Sequence, residues 1–314
     1  MIWYVLRRVA ASVLLVLVVS LLAFLLPRLG SVDAVAIMLG TQETPQSRAA
    51  LEAELGLDRP WPVQYVSWLG GALRGDFGDA WTSGAPIGEL VGQRLPVTLS
   101  IAVAGLLISC AVGIGAGVAA GVRAGGPVDH VVRAAAAVAI SIPPFWLAML
   151  LVALFAIQWP LFAATGWVSP ADSVGGWARG LVLPGIAVAL FGVAHLARLS
   201  RSSVLDVMNQ EHVRMARVRG LSPARIVTRH VLRNAAPPVV ASTGLVFIAC
   251  FGASALVEVV FALPGLGQSL VDAASRGDVP VIQAIAVVSA CLVAAVNLVG
   301  DLTQLGLDPR VRHA

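Results

Sequence analysis

The sequence predicts an all-α membrane protein with six transmembrane helices, and three observations lead to this fold class. The 314 residues are 58% hydrophobic, with a mean hydropathy of +0.87. Only 12% are charged, against roughly 25% in soluble domains. The apolar residues are also concentrated in long, nearly charge-free runs. A water-soluble enzyme and a disordered chain are both excluded, because neither can accommodate so much apolar surface.

Six of these runs are long enough to cross the hydrocarbon core, which takes about 20 mostly apolar residues. They cover residues 9–26, 95–122, 134–157, 180–197, 239–257 and 279–300. Helices are expected rather than barrel strands, because the runs are continuous and lack period-two alternation. Arg7 and Arg8 precede the first run as in a secretory signal. That run is too long for a signal and no cleavage pattern follows it, so an uncleaved helix is expected.

All 21 basic residues are arginine, and their distribution predicts the orientation of the helices. If the N-terminus lies inside, the inner segments are 1–8, 123–133, 198–236 and 305–314. These segments hold 14 arginines, and the outer segments hold the other 7. The positive-inside rule favours this arrangement. Both termini are therefore predicted to be cytoplasmic.

The runs divide the chain into four parts. Residues 1–29 form an N-terminal transmembrane helix, and 30–94 form a small extracytoplasmic insertion between the first and second helices. A five-helix core covers 95–305 and contains a cytoplasmic loop at 198–236, and 306–314 is a cytoplasmic tail.

Within the insertion, residues 46–55 read as a short amphipathic helix. Trp61, Tyr65 and Trp68 follow it as an aromatic group suited to the headgroup level of the bilayer. The sequence therefore predicts a small solvated cap with an interfacial anchor.

The loop at 198–236 has the pattern of two short helices joined by a tight turn. Asn209 is the expected N-cap of the first helix. Glu211 falls in its first turn and Arg217 in its last, as the helix dipole favours. Gly220 suits the left-handed position just past its end. Ser222 and Pro223 are expected to start the second helix, as its cap and first residue.

Val213, Ala216 and Gly220 would share one side of the first loop helix, giving a small-residue face for another surface to approach closely. The loop arginines alone are explained by topology and attraction to anionic lipid. Nucleic acid is not an expected partner, because no aromatic residues interleave the arginines. The capping pattern and the small face call for a further explanation, which docking of a partner supplies.

Patterns for catalysis are absent from the sequence, which contains no HExxH, GxSxG, GxGxxG or Walker A motif. The five histidines show no metal-ligand spacing, and the three cysteines lie in apolar runs. No enzyme activity, bound cofactor or metal is expected of this chain. His195 and Glu258 are expected at the ends of their spans, contacting an interface or a loop. An ion-coupled carrier usually holds ionisable groups at membrane depth, where these spans are nearly bare.

Several motifs in chain order resemble the permeases of binding-protein-dependent ABC importers, in the dipeptide, oligopeptide and nickel group. The motifs are ELGLDRP at 54–60, PVQY at 62–65, RGD at 74–76, RLP at 94–96, SIPPFW at 141–146, PGLG at 264–267 and LDPRVR at 307–312. The family's cytoplasmic loop reads EAAxxxG, and here Ala216 and Gly220 match its second Ala and its Gly. Arg214 and Met215 replace the Glu and first Ala, although 213–221 resembles the peptide group's own version of the loop.

The resemblance implies the type I ABC importer permease fold in a bacterial cytoplasmic membrane. The chain would form half of a translocation pathway for dipeptides or oligopeptides. The implied partners are a second homologous permease, two cytoplasmic ATPases, an extracytoplasmic substrate-binding protein and membrane lipid. ATP and Mg would be used by the ATPases alone. Nickel or glutathione would be alternative cargoes. Readings from other classes are an ion-coupled carrier or channel acting alone, and a membrane scaffold or receptor.

Two sets of candidate site residues follow. The coupling helix that docks on an ATPase would comprise Glu211, Val213, Arg214, Met215, Ala216, Arg217 and Gly220. Candidate pathway or gate residues are Pro143, Pro144, Phe145, Trp146 and Glu258. Adjacent Pro143 and Pro144 are expected to break the third helix, because neither has a backbone N–H and both rings crowd the preceding turn. The break is either a packing kink or part of a gate.

Overall fold

The computed structural model describes residues 2–29, 34–40, 43–54 and 56–307. Over these residues the regular structure is helical, apart from one isolated β-bridge between Asp79 and Pro86. The all-α fold class is confirmed.

In the described chain up to residue 158, eight helices follow one another. They are α1 (Ile2–Leu29), α2 (Ala34–Leu39), α3 (Pro45–Glu54), α4 (Trp61–Ala72), α5 (Ile87–Ile108), α6 (Gly115–Val122), α7 (Pro127–Ser141) and α8 (Pro144–Val152). A π-helical segment, Ser109–Ile114, joins α5 to α6, and another, Ala153–Gln158, extends α8. The helix predicted at 46–55 is confirmed by α3 as far as Glu54, and residue 55 lies outside the described residues.

From there to residue 307 the described chain forms seven more helices. They are α9 (Val174–Gly180), α10 (Val182–Met208), α11 (Glu211–Val218), α12 (Pro223–Ile226), α13 (Leu232–Phe261), α14 (Leu266–Arg276) and α15 (Val279–Leu307). The π-helical segment Val227–Val231 joins α12 to α13.

Among the described residues, five continuous helices are long and apolar enough to cross a membrane. They cover Val5–Leu25, Ile87–Val122, Val182–Met208, Pro223–Phe261 and Val279–Thr303. The number rises to six, as predicted, when α7 and α8 are counted as one bent span. Several of these helices extend well past the predicted bounds. Composition marks the stretch that lies in lipid, whereas the helix continues into water as long as its backbone remains hydrogen-bonded.

The predicted break at the proline pair is confirmed. Helix α7 ends at Ser141, Ile142 is extended (φ −91°, ψ 120°), and α8 restarts with Pro144 as its first residue. The axes of the two halves meet at 98°. Because Pro143 and Pro144 cannot donate backbone hydrogen bonds to the preceding turn, the helix has no continuous ladder across this point.

The chain separates into two compact units, which we call the core unit and the N-terminal unit. The core unit contains Thr98–Leu263 and the chain from Val296 onward, and the N-terminal unit contains Ile2–Val97 and Pro264–Ala295.

In the core unit, α10 packs closely against the α5–α6 helix along a row of glycines four residues apart. A Cβ atom at Gly113 would lie 2.7 Å from the Val193 carbonyl oxygen, and one at Gly117 would lie 2.4 Å from that of Ala197. The buried Ser109 hydroxyl, one turn before Gly113, donates to the carbonyl oxygens of Gly105 and Ala189. Small residues at this spacing allow two backbones to approach closely in a membrane. We call this contact the glycine seam.

In the N-terminal unit, α4 packs against α1 through aromatic side chains. The Tyr65 hydroxyl lies 2.8 Å from Ser20 Oγ, and the Phe24 ring meets the Tyr65 ring edge-on at 5.3 Å. Trp68 packs beside both rings, whereas Trp61 is largely exposed. Of the three aromatic residues predicted to form an interfacial anchor, two are therefore engaged with α1 and only Trp61 keeps its face open.

Asp278, in the turn between α14 and α15, is a buried carboxylate that fixes another segment of the N-terminal unit. It accepts hydrogen bonds from the backbone N–H of Trp81 (3.2 Å) and of Thr82 (2.9 Å), and from the Thr82 hydroxyl (2.7 Å). Three donors satisfy the buried charge, so the segment around residues 78–86 is held to the start of α15.

Candidate functional site

The candidate site is the loop between α10 and α13, and its first turn differs from the prediction. Asn209 is not an N-cap: it ends α10 in a helical conformation, with its N–H bonded to the Leu205 carbonyl oxygen. Gln210 precedes α11 instead and makes no side-chain capping bond. The reason is that α10 remains helical through Met208. Asn209 therefore lacks the extended backbone from which a capping side chain reaches forward.

The end of α11 follows the prediction. Gly220 has a φ of +77°, and its N–H bonds to the Arg217 carbonyl oxygen. The Leu221 N–H bonds to the Ala216 carbonyl oxygen. These two bonds form a Schellman motif, which satisfies the last carbonyls of the helix and reverses the chain. Glu211 lies in the first turn and Arg217 in the last, as predicted.

The next helix also starts where predicted, with Ser222 at the N-cap position and Pro223 at the first helical position. The Ser222 side chain makes no capping hydrogen bond, so only its position agrees with the prediction.

One face of α11 packs against the rest of the loop and the adjoining helix ends. The exposed fraction is 0% for Val213 and 7% for Ala216. Both belong to a buried apolar cluster with Val204, Val207, Ile226, Val231 and Ala235. The expectation that Val213 and Ala216 present an open face to a partner is therefore wrong for this structure. The two side chains anchor α11 to the chain itself.

The opposite face of α11 is exposed and carries two large apolar side chains. The exposed fraction is 54% for Met215 and 80% for Val218, and Arg214 and Arg217 beside them are also exposed. Sequence reasoning included Met215 but missed Val218. The signal was present, because Met215 and Val218 are three residues apart and form a second helical stripe. When one stripe anchors a short helix, the other becomes the surface available to a partner.

Near the end of α10, an ion pair ties this helix to the start of α7. Arg201 Nη2 donates to Asp129 Oδ2 at 2.8 Å, and Arg201 Nε donates to Oδ1. Asp129 is buried and also accepts the Gly125 N–H at 2.9 Å. A bidentate pair of this kind fixes orientation as well as distance. The turn before α7, α10 and the start of the candidate loop are thus held as one piece.

The candidate gate residues on α8 face outward. Phe145 and Trp146 are exposed beside the bend at Pro143 and Pro144. Glu258, near the end of α13, is fully buried, so its carboxyl faces protein rather than the membrane surface. The predicted pathway set is therefore divided between an exposed group at the bend and a buried residue on another helix.

His195 on α10 lies within the core unit. Its Nε2 is 2.7 Å from Ser242 Oγ, and its ring stacks on Phe191. In the part of the chain that the structure describes, no group of three or more His, Cys, Asp or Glu side chains is placed to hold a metal ion.

The helices have the type I ABC importer permease fold. The solved structure of the MetNI methionine ABC transporter in inward-facing conformations matches with a TM-score of 0.55. The match covers 70% of this chain and 96% of that one, at 21% sequence identity.

The chain belongs to the family of binding-protein-dependent transport system inner membrane components, whose model matches residues 113–313. A model of the family's N-terminal part matches residues 1–102. A putative peptide transport system permease protein of Brucella abortus is 37% identical over 98% of both chains. The dipeptide transport system permease protein DppB of Escherichia coli K12 is 33% identical, covering 100% of this chain and 99% of its own. The oligopeptide transport system permease protein AppB of Bacillus subtilis is 32% identical over 99% of both. The chain is thus a multi-pass protein of the bacterial inner membrane.

Proposed function

We propose that this chain is the permease subunit of an ATP-driven importer of dipeptides or oligopeptides. It forms half of the pathway and is coupled to cytoplasmic ATPases through α11. The observation that carries the coupling role is the two-sided character of α11: Val213 and Ala216 anchor it, while Met215 and Val218 are left exposed. The full-length relatives named as peptide permeases support the cargo.

The arginine distribution supports the orientation, because the positive-inside rule favours a cytoplasmic position for α11 and both termini. There the exposed stripe of Met215 and Val218, flanked by Arg214 and Arg217, fits an apolar groove with an acidic rim on an ATPase subunit. The two large side chains supply the apolar contact, and the arginines favour encounter with a negative surface.

The packing of the loop supplies the means of transmission. Val213 and Ala216 share one apolar cluster with Val204 of α10 and Ala235 of α13. A displacement of α11 is therefore passed to two membrane helices, because close-packed interiors move as units. ATP-driven closure of the ATPases would rock these helices and alternate access to the pathway.

The remaining partners complete the importer. A second homologous permease forms the other half of the pathway, and an extracytoplasmic binding protein delivers the cargo. ATP and Mg are used by the two ATPases. Only 11% of the most apolar stretch of α1 is buried within this chain. The rest of its surface is available to lipid and to the second permease.

Val218→Glu tests the coupling role. The side chain is 80% exposed, so the protein should insert and keep its native melting temperature. Association with the ATPases should fall about tenfold or more, because a carboxylate would enter an apolar contact. Pull-down of the ATPases with the purified permeases and uptake of a labelled dipeptide measure the two effects.

Arg225→Ala is the matched control, since Arg225 is exposed on α12 outside the α11 stripe. Native ATPase association in Val218→Glu would contradict the coupling role. Uptake of nickel or glutathione in place of dipeptides would keep the coupling role and change the cargo.

A further inference from the structure

The N-terminal unit contains a cavity of about 560 Å³ with walls of mixed chemistry. Four aromatic side chains line it, namely Phe24, Trp68, Phe77 and Trp81. Polar groups line it as well, so it differs from the purely apolar grooves expected where a helix faces lipid. A ligand for this cavity would have to satisfy its aromatic and its polar groups together.

Gln283 is the buried polar group of this cavity. Its side chain lines the cavity near the start of α15 and is only 5% exposed. Among the described residues, no side chain or backbone group forms a hydrogen bond with its amide. Because this amide lines the cavity without a hydrogen-bonding partner, it can bind a ligand with polar atoms. The Trp68 indole N–H, also in the wall, is buried without an acceptor among the described residues, which is unfavourable unless a ligand supplies one.

The rim of the cavity carries one charge of each sign. Arg59 and Asp79 both line it and are exposed. Neither side chain takes part in an ion pair with any residue that the structure describes. A single cation and a single anion at one cavity are complementary to a zwitterion. Its carboxylate would meet Arg59 and its ammonium group would meet Asp79.

One wall of the cavity is held rigid. Asp79 and Trp81 belong to the segment that Asp278 binds through the Trp81 and Thr82 N–H groups and the Thr82 hydroxyl. The Asp79–Pro86 bridge, with the Ala80 N–H bonded to the Ala85 carbonyl oxygen at 3.0 Å, closes the segment on itself. A wall fixed in advance lowers the ordering cost of binding.

We propose that this cavity binds a small α-amino-acid zwitterion with an apolar side chain, as a free amino acid or a short peptide. Arg59 binds the carboxylate of the ligand, and Asp79 binds its ammonium group. Gln283 binds a carboxylate oxygen of the ligand or, in a peptide, its amide group. The apolar side chain lies against Trp68, Phe77 and Trp81. The site rests on the proposed function only for the source of the ligand, which would be the importer's own cargo. It gives the permease a binding site of its own in the N-terminal unit.

Equilibrium dialysis of radiolabelled Ala-Phe against the assembled transporter in nanodiscs, without the binding protein, tests the site. Saturable binding is expected. Competition by N-acetyl-Ala-Phe-amide, which lacks both charges, should fail. If phenylalanine competes, a free amino acid is sufficient as the ligand. If only unlabelled Ala-Phe competes, the site needs a peptide. Equal competition by the blocked peptide would overturn the proposal.

Three variants locate the binding. Arg59→Gln, Asp79→Asn and Gln283→Leu should each weaken binding about tenfold or more. Arg59 and Asp79 are exposed, so their variants keep the test valid if Gln283→Leu fails to fold. Arg74→Gln and Asp58→Asn, at exposed charges that do not line the cavity, are the matched controls. Unchanged affinity in Arg59→Gln and Asp79→Asn would overturn the site.

Uptake by the same transporter separates this site from the proposed function. Peptide uptake without binding at Arg59, Asp79 and Gln283 would overturn the site alone. Binding of Ala-Phe here by a transporter that carries no peptide would overturn the cargo alone and leave the site standing.

Discussion

The glycine seam and helix α11 show two ways in which a helix is held in the core unit. At the seam, α10 and the α5–α6 helix approach so closely that a single added carbon would meet a backbone oxygen. Helix α11 is packed on one face only, through Val213 and Ala216, and its other face is exposed. The contact side of the seam therefore tolerates no added side chain. Helix α11, by contrast, has one face that is needed for folding and another that is available to a partner.

Gly117→Leu should have the largest effect, because it breaks the seam. Its Cβ would lie 2.4 Å from the Ala197 carbonyl oxygen, and backbone atoms of two packed helices cannot rotate away. Overpacking of this kind costs about 1–3 kcal/mol or more. The yield of assembled transporter and its melting temperature should both fall sharply.

Gly115→Leu is the matched control, because nothing lies within 4 Å of a Cβ at this position on the same helix. If both substitutions lowered yield and melting temperature equally, the loss would come from an effect within the helix and not from the close approach to α10.

Ala216→Trp should have the next largest effect, and it tests the packed face of α11. Ala216 lies in the cluster with Val204 and Val231, so a bulky ring would have to displace packed side chains. The melting temperature should drop and the loop should become sensitive to limited proteolysis. ATPase association would fall as a consequence of the disordered loop.

The comparison with Val218→Glu makes that result decisive, because Val218→Glu should lower ATPase association at an unchanged melting temperature. A native melting temperature for Ala216→Trp would place Ala216 on the open face and overturn the burial described above.

Gly220→Val should have the smallest of these effects, because no neighbouring atom lies within 4 Å of a Cβ there. The substitution acts only through the φ of +77°, which costs a β-branched residue about 1–3 kcal/mol. Stability of the loop and ATPase association should fall moderately. Gly220→Asn should lower both less, since Asn adopts the left-handed conformation more easily than Val. The melting temperatures of the two variants measure the difference. A larger loss for Asn than for Val would contradict a purely conformational role.

Local rules predicted the parts of the fold that depend on neighbouring residues. Pro143 and Pro144 broke their helix as expected, and Gly220 took the left-handed conformation, because both effects arise within a few residues. The C-terminal end of α10 was missed. The apolar run ends at residue 197, but the helix continues to Met208 because polar side chains at its end still allow the backbone ladder.

The candidate site was only partly predictable for a different reason. Val213 with Ala216, and Met215 with Val218, are both stripes at helical spacing, so the local sequence does not say which one is buried. The choice is made by residues outside α11, such as Val204 on α10 and Val231 just before α13, which form the cluster. The Asp129–Arg201 pair joins residues far apart in the chain and leaves no local pattern at all.

The glycine seam also limits how homologous permeases can be recombined. The two helices fit because the α5–α6 helix has a glycine, without a side chain, where α10 presents a backbone oxygen. In a chimera that takes only one of these helices from a relative, a side chain could replace a glycine where the other helix needs the space. The two helices should therefore be exchanged together, although dozens of residues separate them in the sequence.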